Sequence, residues 1–129
     1  MASFGMRKET NSTYDEVLAK LPDLLKAEGF GVLTQIDVKE TLKQKLGVDF
    51  RRYQILGACN PPLAHRALSA ETEIGVMLPC NVIVYENDQG KAVVTAVDPM
   101  QTVAAAIPKL ADIAGEVRQR LSRVLEKVS

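Results

Sequence analysis

Apolar positions along the chain follow two periods, and the switches between them mark the elements. Val17, Leu18, Leu21, Leu24 and Leu25 recur at three- and four-residue spacing, which places them on one stripe of a helix. Thr13 and Glu16 form an S/T-x-x-E capping box at its start, and Gly29 stands where a left-handed C-terminal cap is wanted. Pro22 lacks an amide donor and clashes one turn back, so a kink or break is expected near Ala19 to Pro22. The most regular helix lies near the C-terminus, where Ile107, Leu110, Ala114, Val117, Leu121, Leu125 and Val128 share a face and charged residues occupy the others.

Between these helices the pattern changes to β-formers. Strands are expected at Phe4 to Thr10, Phe30 to Val38 and Arg51 to Cys59. Ile74 to Met77 and Cys80 to Glu86 also read as strands, on either side of Pro79, which cannot donate to a ladder. Asn87 to Gly90 reads as a turn leading back into a strand at Lys91 to Val97. Lys39 to Leu46, ending at Gly47, reads as a short helix with Leu42 and Leu46 facing inward. Asn60 caps a further helix that opens with Pro61 and Pro62 and carries Leu63, Ala64, Ala67 and Leu68. Asp98 and Pro99 repeat that device ahead of a helical region interrupted at Pro108. The order β-α-β-(short α)-β-α-β-β-α, without an internal repeat, predicts an α+β sandwich.

Composition narrows the classes of function. The chain has 129 residues, 47% of them hydrophobic and 25% charged, values that suit one globular domain spanning 1–129. Sixteen basic residues balance sixteen acidic ones, so no global field gathers nucleic acid, and none is expected as a partner. The local basic stretch of Lys39, Lys43, Lys45, Arg51 and Arg52 reads as a solvated face. No apolar run approaches the ~20 residues that span a bilayer, and the N-terminal segment lacks the apolar core of a secretory signal. The cytoplasm is the expected location, and membrane association is not expected. Gly57 and Gly75 belong to no phosphate-binding pattern and read as backbone tolerance near bends.

The distinctive chemistry is two Cys-Asn pairs, Cys59-Asn60 and Cys80-Asn81. Cys59 precedes a helix start, where unsatisfied amides favour a thiolate. Cys80 follows Pro79 at an expected irregularity. The bland alternative is strong, because free cysteine behaves as a small buried hydrophobe and capping alone accounts for Asn60. A soft-metal site could use Cys59 and Cys80, with His65 as the one obvious third ligand, but zinc sites usually want four. No third group is visible to orient His65 for nucleophilic catalysis.

At Gly29-Phe30-Gly31-Val32-Leu33-Thr34, Ile36-Asp37-Val38, Leu56-Gly57-Ala58-Cys59-Asn60-Pro61 and Leu78-Pro79-Cys80-Asn81-Val82 the chain resembles the prokaryotic domain-of-unknown-function family 302, over nearly its whole length. The resemblance implies a fold similar to a TATA-binding-protein half-domain: a curved, mainly antiparallel sheet with helices packed on one face. It implies no activity and no cofactor. The leading expectation is a non-enzymatic domain that binds a small molecule or a protein near Cys59, Asn60, Cys80 and Asn81, with a homodimer among the expected assemblies. The alternatives are a thiol-based redox or soft-metal protein, and purely structural cysteines with no local site.

Overall fold

The structure is a computed structural model and describes residues 4–129. Its elements are β1 (Gly5–Glu9), α1 (Tyr14–Ala27), β2 (Gly31–Asp37), α2 (Val38–Leu46), β3 (Tyr53–Cys59), α3 (Pro61–Ala70), β4 (Cys80–Glu86), β5 (Ala92–Val97) and α4 (Pro108–Lys127). The strands form one open antiparallel sheet in the order β1-β5-β4-β3-β2. The chain is α+β, as its alternation of periods predicts.

Strand alternation gives the sheet two unlike faces. Leu56, Ala58, Val82, Val84, Val94 and Ala96 are buried on one of them, paired across neighbouring strands by the Leu56↔Val82 and Val82↔Ala96 register. α1 and α4 pack on that face and α3 packs on α4. The expected stripe of α1 is present, with Val17, Leu21 and Leu25 fully buried, and α4 contributes Leu110, Ala114, Val117 and Leu121 along with Ile113 and Val124. Each such side chain gains roughly 2 kcal/mol from leaving water, which is why these stripes fix the placement of both helices. On the opposite face Tyr53 and Tyr85 stack across β3 and β4, their ring centroids 5.6 Å apart.

Local signals account for the helix ends. Glu16 N–H donates to Thr13 Oγ1 (3.2 Å) while Thr13 N–H donates to Glu16 Oε1 (3.0 Å), completing the capping box. Gly29 has φ of +87°, the left-handed conformation its position predicts. Lys8 Nζ donates to the carbonyls of Leu125 and Glu126, satisfying the end of α4 from the edge strand β1.

Five expectations are corrected. α1 runs through Pro22 without a break: the proline lies on the exposed side, and the buried stripe opposite holds the helix together despite one missing bond. Ile74 to Met77 is not a strand but part of a 3-10 turn, Thr72–Met77. Only Ile74 finds core there and Val76 is exposed, so β-forming side chains have no sheet to join. Leu46 does not face inward but is exposed, and Leu42 is only half-buried, because α2 flanks β2 and β3 at the sheet edge and buries no residue fully. Phe4 lies outside β1 and is fully exposed, having no partner surface beyond the end of the ladder. The helical region opened by Asp98 and Pro99 consists of two 3-10 turns, Pro99–Gln101 and Val103–Ala106, ahead of α4.

Candidate functional site

β3 carries Ala58 and Cys59 to the first turn of α3, and β4 begins at Cys80 directly opposite Ala58. The two cysteines are therefore on neighbouring strands at the same end of the sheet, and both line one cleft of about 320 Å³. α3 supplies Leu63, Ala64, Ala67 and Leu68 to its wall, α4 supplies Ile113 and Val117, and Phe30, Leu33, Leu78 and Pro79 complete it. A smaller cavity of about 80 Å³ adjoins and shares Ala67, Leu78, Cys80, Ile113 and Val117 with it. Cys80 thus stands in the wall between two apolar compartments.

Burial sets the chemistry of this thiol. Desolvation, with a lesser contribution from the neighbouring Cys59, pushes the Cys80 thiol up to about 11, so it stays protonated near neutrality. A protonated thiol is a poor nucleophile and a poor metal ligand. Both cysteines are free.

The two asparagines separate. Asn60 is buried and bonded at both ends of its amide: its Oδ1 accepts from Leu63 N–H (3.2 Å) at the start of α3, and its Nδ2 donates to the Glu28 carbonyl (3.5 Å). Arg120 Nη1 donates to the same carbonyl (3.0 Å), and Arg123 pairs with the Glu28 side chain (2.9 Å), holding that carboxyl below its usual range. Asn60 thereby ties the end of α1 to the starts of α3 and, through Glu28, to α4. A side chain at Gly29 would meet Asn60 Nδ2 at 2.8 Å, so the knot also requires glycine there. Asn81 pairs with Gly57 and is exposed, on the sheet face away from the helices. The cleft contains Cys59, Asn60 and Cys80 but not Asn81.

Gly57 is needed for close approach, not for a bend. A Cβ there would lie 2.1 Å from Thr34 Oγ1 and 2.7 Å from Pro79 Cγ. The proline ring closes over β3 beside the cleft, after a cis peptide bond from Leu78. His65 is exposed on α3 and does not line the cleft. Among the described residues, no three His, Cys, Asp or Glu side chains gather as a metal site would require.

A second pocket, at the opposite end of β3, escaped the sequence reading. Tyr14, Asp15, Leu18, Asp37, Lys39, Arg52 and Gln54 line about 290 Å³. Arg52 bonds Asp15 (3.0 Å) and Glu86 (2.8 Å) and lies 4.7 Å over the Tyr14 ring. Burial pushes the Tyr14 hydroxyl up to about 12, and Gln54 Oε1 is buried without a partner. Alternation in β3 offered one clue, a glutamine at an inward position of an otherwise apolar face. Most of the basic stretch nearby makes contacts at the surface: Lys39 donates to the Phe50 carbonyl, Lys43 pairs with Asp49 and Arg51 with Asp88, with the Lys43, Asp49 and Asp88 side chains largely exposed.

Among the described residues no helix is long and apolar enough to cross a membrane. The family model described as "Domain of unknown function DUF302" matches residues 6–128. A crystal structure of an uncharacterized conserved DUF302 protein from Bacillus stearothermophilus superposes with a TM-score of 0.90 at 34% identity, covering 99% of this chain and 100% of that one. No curated protein matches the chain.

Proposed function

The chain belongs to the DUF302 family, and we propose that it serves as a non-enzymatic domain that holds a small molecule in the cleft beside Cys59 and Cys80. The observation that carries this reading is the cleft itself, a concave apolar site of about 320 Å³, within the size range of small-molecule pockets. Its walls come from β2, β3, β4, α3 and α4 together with Phe30, Leu78 and Pro79, so most of the site is built on regular elements of the fold. The raised pKa of Cys80 favours a binding wall over a reacting thiolate.

Native mass spectrometry of protein purified from its own host without chelator tests the reading. A one-to-one adduct of small mass is expected, lost in an Ala64→Trp variant that fills the cleft. An adduct that survives this substitution would place the ligand elsewhere.

A homodimer is a second reading, favoured by the edge of the sheet. β1 is short and carries Arg7, Lys8 and Glu9, charges that discourage edge pairing, whereas β2 is seven residues long with Leu33 and Ile36 exposed. Antiparallel pairing of β2 with β2 of a second copy is self-complementary about a two-fold axis. Light scattering should then give twice the chain mass, reduced to the monomer mass by Ile36→Lys.

A further inference from the structure

We infer that the ligand is an unbranched aliphatic chain that threads past Cys80 to occupy both compartments, with any polar or charged head left at the surface. The inference rests on the cleft as the binding site and adds the class of molecule it takes. Three observations carry it.

The first is the balance of hydrogen bonds. Among the described residues, and apart from the two thiols, the only polar ones lining either compartment are Asn60 and Thr102. Asn60 is spent on Leu63 and Glu28. Thr102 Oγ1 donates to the Pro99 carbonyl (2.7 Å) and accepts from Ala104 N–H (3.3 Å). A polar group of a ligand placed inside would lose its water and meet, among these side chains, little beyond two thiols, which are weak partners. The interior selects against hydroxyl, amide and carboxylate alike.

The second is size. An apolar cavity of about 150 Å³ holds a benzene ring, and the smaller compartment has about 80 Å³, room for the end of an alkyl chain but not for a ring. The larger compartment, about 320 Å³, takes the rest. The shared wall of Ala67, Leu78, Cys80, Ile113 and Val117 sets the two side by side with only side chains between them, an arrangement that a thin flexible chain slipping past Cys80 fills better than a compact body.

The third is the rim. Leu33 and Leu68 line the larger compartment and Met77 the smaller, and all three are more than a third exposed. Single exposed apolar residues are ordinary, but these three prolong the lining to the surface, where a chain can enter without crossing charge.

Calorimetry with the primary alkanols from hexanol to dodecanol, 1,8-octanediol and naphthalene tests the inference, with the methyl NMR signals of Ile74 and Val117 reporting the site. Affinity is expected to rise about fourfold per added methylene, then stop when the compartments are full. The diol, which must bury a hydroxyl, should bind at least tenfold more weakly than 1-octanol. Ala104→Leu, which narrows the smaller compartment, should move the cut-off to shorter chains; the diol comparison needs no variant and stands if this one fails to fold. Naphthalene binding more tightly than octanol, or a diol equal to octanol, overturns the chain inference while leaving the cleft in place as a binding site. Failure of every probe to bind or to move the Ile74 and Val117 signals overturns both.

Discussion

At its Asn60 end, β3 walls a cleft in which, among the described residues, Asn60 is the one polar side chain besides the thiols and is already bonded, whereas at its Arg52 end it walls a pocket of similar size crowded with charge. The volumes are about 320 and 290 Å³, so size does not distinguish them. The distinction lies in what each end does with polar groups. At the cysteine end Asn60 lines the cleft but is bonded to Leu63 and to Glu28, whose carbonyl also takes Arg120, which leaves a mostly apolar interior. At the other end Arg52 is taken up by Asp15, Glu86 and Tyr14, and among the described residues Gln54 Oε1 is buried beside it with no partner. An apolar cavity is free to gain a guest, while a pocket whose charges are already matched has less to gain from one.

Gly57 lies between the two ends, and its replacement is the sharpest way to disturb both. Gly57→Ala sets a methyl against Thr34 and Pro79 at distances no packed atoms adopt. Overpacking of this kind costs about 2–3 kcal/mol, read as a lower urea midpoint with an unchanged slope. Widening of the cleft by displacement of Pro79 should accompany it.

The twin motifs offer a controlled pair of the next size. Asn60→Ala removes a buried helix cap and a bond to Glu28 and should cost about 2 kcal/mol. Asn81→Ala acts on an exposed strand position and should stay within about 0.5 kcal/mol. Equal losses, measured by chemical denaturation, would show that the two asparagines do the same work after all.

The smallest effect separates the two ends by pH. The Cys80 thiol rises from about 9 to about 11 in the folded chain, so between these values the unfolded state sheds its proton while the folded state keeps it. Stability is therefore fully present below pH 9 and falls as pH approaches 11. Tyr14, raised from 10 to about 12, gives the same sign one unit higher. Cys80→Ala should flatten the decline from pH 9 to 11 and Tyr14→Phe that from pH 10 to 12, followed as thermal midpoints across an alkaline series.

How much of this could be read from the chain alone depended on the range of the signal. The capping box at Thr13 and Glu16, the cap at Asn60 and the stripe of α4 are patterns within one or two helical turns, and each is present in the fold. Failures came where a local pattern needed a distant partner. Ile74, Val76 and Met77 favour a strand, but no neighbouring strand receives them. Leu42 and Leu46 make a helical stripe whose helix lies beyond the core. The site divides in the same way: Cys59, Asn60 and Cys80 were legible as motifs, yet the position of Asn81 on the other face follows from register. The Arg52 pocket joins Tyr14, Asp37 and Gln54 across 40 residues of chain, each unremarkable by itself.

The knot at Asn60 also bears on how evenly α3 is held. Its first turn is fastened by the buried Asn60 through Leu63 and Glu28, whereas toward its last turn the ties to α4 are the ion pairs Arg66–Glu116 (3.8 Å) and Glu71–Lys109 (3.4 Å), which are more exposed. Pairs of that kind are worth little and weaken in salt. Amide exchange should then be slower near Leu63 than near Ala70, and added salt should quicken it only at the Ala70 end.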